Sequence, residues 1–104
     1  MLYISGPIEG DKNYKLKFRA AKQQLEARGY DVINPAELDD VLPVGVMTHE
    51  QILQTCTFLI GQCDAVIVLP GWESSPGCQR EVGFAEGVDL IVLPLEEMLR
   101  EREV

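Results

Sequence analysis

Asp64-Ala-Val-Ile-Val-Leu-Pro-Gly-Trp-Glu-Ser-Ser-Pro-Gly77 is the stretch that decides the fold. Ala65 to Leu69 is an unbroken apolar, β-prone run with no polar alternation. Such a run suits a strand covered on both faces, as in the centre of a parallel sheet. Pro70–Gly77 is dense in turn residues, and Ser75 followed by Pro76 makes a helix start with an N-cap and a proline at the first helical position. Strand, loop and helix therefore follow one another within about twenty residues, which is the unit of a βαβ fold.

Working outward, the same alternation recurs. Leu2-Tyr-Ile-Ser5 is a short strand that stops at Gly6-Pro7. Asp11 is a candidate N-cap for a helix whose apolar stripe is Tyr14, Phe18, Ala21 and Leu25, with Gly29 as its stop. Tyr30–Ile33 predicts a second strand, closed by Asn34-Pro35. Residues 35–47 form the longest irregular connection, and long loops in compact folds tend to carry function. Thr48 and Gln51 make a capping box, followed by Ile52, Cys56, Leu59, Ile60 and Cys63 on one helix face. A helix runs from Ser75 to about Gly87, Leu90–Leu93 is a fourth strand, and 95–103 is a charged terminal helix. Right-handed crossovers and the apolar character of 65–69 predict a parallel sheet in the order 2-1-3-4. The expected fold is thus α/β, a flavodoxin-like three-layer α/β/α sandwich with four parallel strands, forming a single domain over residues 1–104.

Composition narrows the functional classes. The chain has 104 residues, 46% hydrophobic and 25% charged, with a net charge of −8. This length suits one compact domain and not two. The acidity speaks against a nucleic-acid polymer as partner, because a phosphate backbone needs a basic surface. The charge is uneven, with six Lys/Arg against three Asp/Glu in residues 1–29 and three against fourteen in residues 30–104. That asymmetry fits a solvated basic helix face, or a small anionic ligand near the N-terminal part. No apolar run reaches membrane-spanning length, and the start lacks a basic signal-peptide region, so no membrane partner and a cytoplasmic location are expected. Cys56, Cys63 and Cys78 are odd in number and form no C-x-x-C, and His49 has no metal-ligand spacing to them. No metal site and no cofactor are expected. Phosphate-loop, dinucleotide and nucleophile-elbow motifs are missing.

Topology then predicts where chemistry would occur. In open α/β sheets, ligands bind at the carboxyl ends of the strands where the winding reverses, here between strands 1 and 3. The loops at that point are Ser5–Gly10 and Gly71–Gly77, the richest in Gly, Ser and Pro. Their glycines admit close backbone approach, and their hydroxyls suit an anion, although ordinary loop and cap chemistry accounts for the same residues. Glu81 is sharper. At 100° per residue it falls inside an apolar arc with Cys78, Val82, Phe84, Ala85 and Val88, while Gln79, Arg80 and Glu86 lie outside. Carboxylates are seldom placed there without a partner or a task. The readings are an ion pair with the first helix, or a nucleophile or base at the crevice floor. Trp72 reads as a stacking surface or a lid, and Tyr3 as a hydroxyl near the crevice or a core aromatic. His49 reads as exposed, Cys56 as a core thiol, and Asp64 as a turn residue at the opposite end of the sheet.

Tyr3-Ile-Ser-Gly-Pro-Ile8, Val32-Ile-Asn-Pro-Ala-Glu-Leu38 and Cys63–Ser75, with Gly77 and Glu81, together resemble the nucleoside 2-deoxyribosyltransferase-like superfamily, and most closely its small, often phage-associated branch of unassigned function. The likeness covers nearly the whole chain. It implies chemistry at the N-glycosidic bond of a nucleoside or nucleotide, by hydrolysis or by pentosyl transfer. It makes Glu81, six residues after Ser75, the nucleophile of a covalent glycosyl-enzyme intermediate, with Tyr3 holding its carboxylate. Ser5, Gly6 and Ser75 would hold the sugar or a 5′-phosphate, with Pro7, Ile8, Asn34, Trp72, Ser74 and Gly77 around them. Serine at 75, where transferases of the superfamily tend to carry aspartate, is more like the nucleotide-hydrolysing relatives. The resemblance also implies a homodimer. One position departs from the pattern: relatives carry an aspartate on the leaving-base side eight residues before the Asp64 equivalent, and here Cys56 stands there. A thiol is a poor general acid. The alternative is therefore a module that binds or senses a nucleotide or sugar phosphate without turning it over.

Overall fold

The computed structural model describes residues 1–101. Strands β1 (Leu2–Ser5), β2 (Val32–Ile33), β3 (Ala65–Val68) and β4 (Ile91–Pro94) form one sheet in the order β2-β1-β3-β4. All pairings are parallel, with Tyr3 beside Ile33 and Val66, Ser5 beside Val68, and Val68 beside Pro94. The expected fold class and strand order hold. The β3 run is buried throughout and occupies an interior position, as its unbroken apolar character predicts.

Helices α1 (Tyr14–Glu26) and α4 (Leu95–Arg100) cover one face of the sheet, and α2 (His49–Ile60) and α3 (Pro76–Gly87) cover the other. Strand side chains alternate, so each strand serves both layers. Leu2, Ile4, Ala65 and Ile67 pack with Phe18, Ala21 and Leu25 of α1. Tyr3, Val66 and Val68 pack with Cys56 and Ile60 of α2 and with Val82 and Ala85 of α3. Both layers reach full burial at the sheet, with Ile4, Ile67, Tyr3 and Val66 at 0% exposure.

Several boundaries differ from the sequence reading. Helix α1 begins at Tyr14 after Asn13, because Asp11 spends its carboxylate on the Asn13 N–H and on Lys17 rather than capping the helix. Gly29 lies two residues past the Ala27 cap and takes φ +90°, a left-handed conformation that glycine enters without strain. Strand β2 is two residues long. The connection 35–47 is not irregular throughout, since Pro35–Asp40 and Val44–Val46 are 3₁₀ turns. The capping box forms as expected, with the Thr48 hydroxyl accepting the Gln51 N–H and the Gln51 side chain accepting the Thr48 N–H. Phe84 and Val88 are exposed, so the buried arc of α3 is narrower than its apolar residues suggest. The terminal helix ends at Arg100, and positions 102–103 of the expected 95–103 span lie outside the described residues. No helix among the described residues is long and apolar enough to cross a membrane.

The basic α1 is largely neutralised by acids from its surroundings. Lys15 pairs with Asp39, Lys17 with Asp11 and Lys22 with Glu37. The Tyr14 hydroxyl also donates to Asp39 at 2.9 Å. These contacts tie the 35–40 turn onto α1 and so fix one side of the crevice described next.

Candidate active site

The crevice predicted between β1 and β3 exists as a cavity of about 880 Å³. Glu81 lines it from the second turn of α3. The local sequence sets that position. Ser75 caps α3 by accepting the Cys78 N–H at 3.3 Å, and Pro76 opens the helix. Glu81 then faces the sheet beside Cys78, Val82 and Ala85, which are buried.

Two hydroxyls from β1 hold the carboxylate. The Tyr3 Oη donates to Glu81 Oε2 at 2.6 Å, and the Ser5 Oγ donates to Oε1 at 2.7 Å. Residues 3 and 5 share one strand face, and so both reach the same acid. The Cys56 thiol of α2 contacts this pair as well. The ion-pair alternative does not arise, because the α1 lysines pair with Asp11, Glu37 and Asp39 and lie across the sheet. Among the described residues no cation is paired with Glu81, so the partly buried acid meets neutral donors.

Burial pushes the Glu81 carboxyl above the usual carboxylate range, while the hydrogen bonds from Tyr3, Ser5 and Cys56 pull in the opposite direction without cancelling it. The Tyr3 phenol is pushed up, first by burial and then by the Glu81 charge, and so remains a neutral donor. Burial likewise raises the thiols of Cys56 and Cys78, so both stay protonated. The result is a polarised carboxylate oxygen pair presented to a cavity, with fixed donors behind it.

The other sequence-derived residues divide into three groups. Gly6, Pro7, Ile8 and Cys56 line the cavity, as do Ser74, Ser75 and Gly77 on its α3 side. Tyr3 and Ser5 are fully buried behind Glu81, to whose carboxylate both donate. Asn34 and Trp72 do not line the cavity. Asn34 is buried and its side chain accepts the Ala36 N–H, which caps the 35–40 turn. Trp72 packs on the α2/α3 core layer. Gly6 is required by space, since a Cβ there would come within 2.8 Å of Leu69 Cδ1 and 3.1 Å of its Cβ.

The cavity also includes residues that sequence reasoning passed over. The 35–47 segment supplies an apolar wall through Leu38, Leu42 and Met47. His49 is exposed, as expected, but it also lines the cavity from the start of α2, and Arg80 does so from α3. The available signal for His49 was its spacing, seven residues before Cys56 on one helix face.

Residues 1–93 match the model of a family described as a domain of unknown function, DUF4406. A protein from Thermofilum pendens carrying the provisional name 2'-deoxynucleoside 5'-phosphate N-hydrolase 1 is 29% identical over an alignment of 101 residues that covers 94% of this chain and 70% of that protein. Both matches agree with the superfamily resemblance read from the sequence.

Proposed function

The chain belongs to the DUF4406 family, and from that premise we propose that it is an N-glycosidase that cleaves the base–sugar bond of a nucleoside 5′-phosphate or nucleoside. The observation that carries this reading is the Glu81 carboxylate, set at the cavity wall and gripped by Tyr3 and Ser5 at 2.6 and 2.7 Å. The name of the Thermofilum pendens relative points to the same bond.

In the proposed reaction a Glu81 carboxylate oxygen attacks the anomeric carbon. The C1′–N bond breaks, and its electron pair leaves on the base, which takes a proton from solvent or a nearby donor. The sugar remains esterified to Glu81. Water then attacks the same carbon, loses a proton, and returns Glu81 as a carboxylate. A second base in place of water would give pentosyl transfer. Tyr3 and Ser5 are positioning residues that orient the acid and hold down its pKa. Ser74, Ser75 and Gly77 at the start of α3, with Gly6, supply hydroxyl and backbone donors for the sugar or its 5′-phosphate. The superfamily resemblance implies a homodimer, and Val41, Val46 and Phe58 are exposed apolar side chains available to such a contact; light scattering tests the assembly.

The test is release of free base, followed by chromatography, from a panel of nucleoside 5′-monophosphates and nucleosides. Release by the wild type that is lost in Glu81→Gln, with a pentosyl mass increment on the Glu81 peptide, is the expected result. No release from any member overturns the reading.

A second reading rests on Cys56. Its thiol is neutral and stands where an acid would assist the leaving base. On this reading the protein binds a nucleotide or sugar phosphate without consuming it. Ligands would then raise the melting temperature while their concentration stays constant, and Cys56→Asp would not create turnover.

A further inference from the structure

The donors around Glu81 can be counted proton by proton. The Tyr3 hydroxyl gives its one proton to Oε2, and the Ser5 hydroxyl gives its one proton to Oε1. The Cys56 thiol reaches the same cluster from α2 and touches both the Tyr3 hydroxyl and the Glu81 carboxyl. Neither neighbour has a proton left to offer it, since the phenol hydrogen is committed and the ionised acid carries none. The hydrogen in this contact is therefore the thiol's own, and sulfur is the donor. Burial keeps that thiol protonated.

Cys63 shows what a buried thiol does without such neighbours. Just past the end of α2, it turns back and donates to the Leu59 carbonyl, four residues earlier, at 3.4 Å. Cys56 makes no such bond to the Ile52 carbonyl among the described residues. It is buried, packs with Tyr3 and Val82, and lines the same cavity as Glu81. The contact also brings a third element to the acid. Tyr3 and Ser5 hold it from β1, Glu81 itself belongs to α3, and Cys56 adds α2, whose start the Thr48–Gln51 box fixes. From α3, the Cys78 thiol feels the same charge but touches Ser5 and Ser75.

We propose that Cys56 is a positioning residue, the third donor that holds the Glu81 carboxylate, rather than a group turned toward the leaving base. The donor role stands on the cluster itself, and its weight in turnover rests on the N-glycosidase reading. A thiol is a weak donor, so it steadies the carboxylate without tying up the lone pair that attacks.

Carboxyl carbon-13 NMR of the resting chain tests this without turnover, with the Glu81 signal identified by its loss in Glu81→Gln. Cys56→Ala and Cys56→Val both remove the donor, and the second keeps the site filled. Each is expected to raise the titration midpoint of Glu81 by about 0.5–1 pH unit, the worth of one hydrogen bond. Cys56→Ser keeps a donor, and a stronger one, so its midpoint should stay at or below that of the wild type. Cys63→Ala removes a buried thiol elsewhere and should leave the midpoint unchanged. A midpoint that Cys56→Ala and Cys56→Val leave unchanged or lower overturns the proposal, as does a rise in Cys56→Ser equal to theirs. Base release is measured separately. Cys56→Ala should lower kcat about three- to tenfold with little change in KM, and Cys56→Ser should recover it. The expected midpoints without base release from the wild type overturn the glycosidase reading and leave the donor assignment standing. Wild-type base release that Cys56→Ala leaves unchanged overturns the positioning role.

Discussion

The two faces of the sheet are built from the same strands and differ in kind. Toward α1 and α4, β1 offers Leu2 and Ile4, which meet apolar side chains alone. Toward α2 and α3, the alternate positions are Tyr3 and Ser5, which meet a carboxylate and two thiols. The first layer is apolar throughout, whereas the second sets a partly buried acid at the wall of a cavity. The apolar layer supplies stability through area removed from water, while the polar layer gives some back by desolvating Glu81. One strand four residues long thus separates a stabilising task from a chemical one by odd and even position.

That separation can be broken most sharply at Glu81. Glu81→Gln keeps the shape and removes the proposed nucleophile, and base release should fall by about 10³-fold or more while the chain stays folded. Far-ultraviolet circular dichroism alongside the activity assay checks both halves. An unfolded variant would mean that the polar face also carries the fold.

Ile4→Ala attacks the other face. It removes a side chain with 0% exposure and should cost about 2–5 kcal/mol in urea unfolding. The Tyr3–Glu81 hydrogen bond lies on the opposite side of the strand. Where the variant remains folded, its kcat should therefore stay near that of the wild type.

Tyr3→Phe tests the grip on the acid. Losing a hydrogen bond to a charged group should lower kcat about 10- to 100-fold. It should also move the acidic limb of the pH profile upward, because the lost donor was holding the Glu81 carboxyl down. A drop in rate with no shift of that limb would assign Tyr3 to packing alone.

The smallest effect concerns stability and pH. Burial raises the Glu81 pKa in the folded chain, so the folded state holds this proton more tightly than the unfolded state. The associated stability is present below the unfolded value, about 4.3 for glutamate, and is lost as pH rises through the higher folded value. At neutral pH the ionised acid is thus a cost. Glu81→Gln should melt higher than wild type at pH 7, which thermal unfolding followed by circular dichroism checks. The difference should shrink toward pH 4. A lower melting temperature at pH 7 would show that the hydroxyl grip outweighs desolvation.

Local patterns made much of this legible. The unbroken apolar run 65–69, the Thr48–Gln51 box and the Ser75-Pro76 start are written in neighbouring residues, and they fix the sheet order and two helices. Glu81 was legible because a charge among Cys78, Val82 and Ala85 violates the helix pattern. What escaped was set by tertiary packing. Nothing local says that 35–47 folds over as a wall. The Asn34 side chain caps its own turn, and Trp72 belongs to the core layer, so proximity along the chain misplaced both at the cavity. His49 carried its signal only in register with Cys56, a relation visible once α2 is known to flank the cavity.

The division of labour in β1 has a consequence for how this gene segment can vary. Point changes at Leu2–Ser5 act on one layer at a time. A single-codon insertion or deletion there reverses parity, carrying the hydroxyls into the hydrocarbon layer and the aliphatic chains onto the acid. A substitution there is therefore felt in one layer, whereas an indel disrupts both.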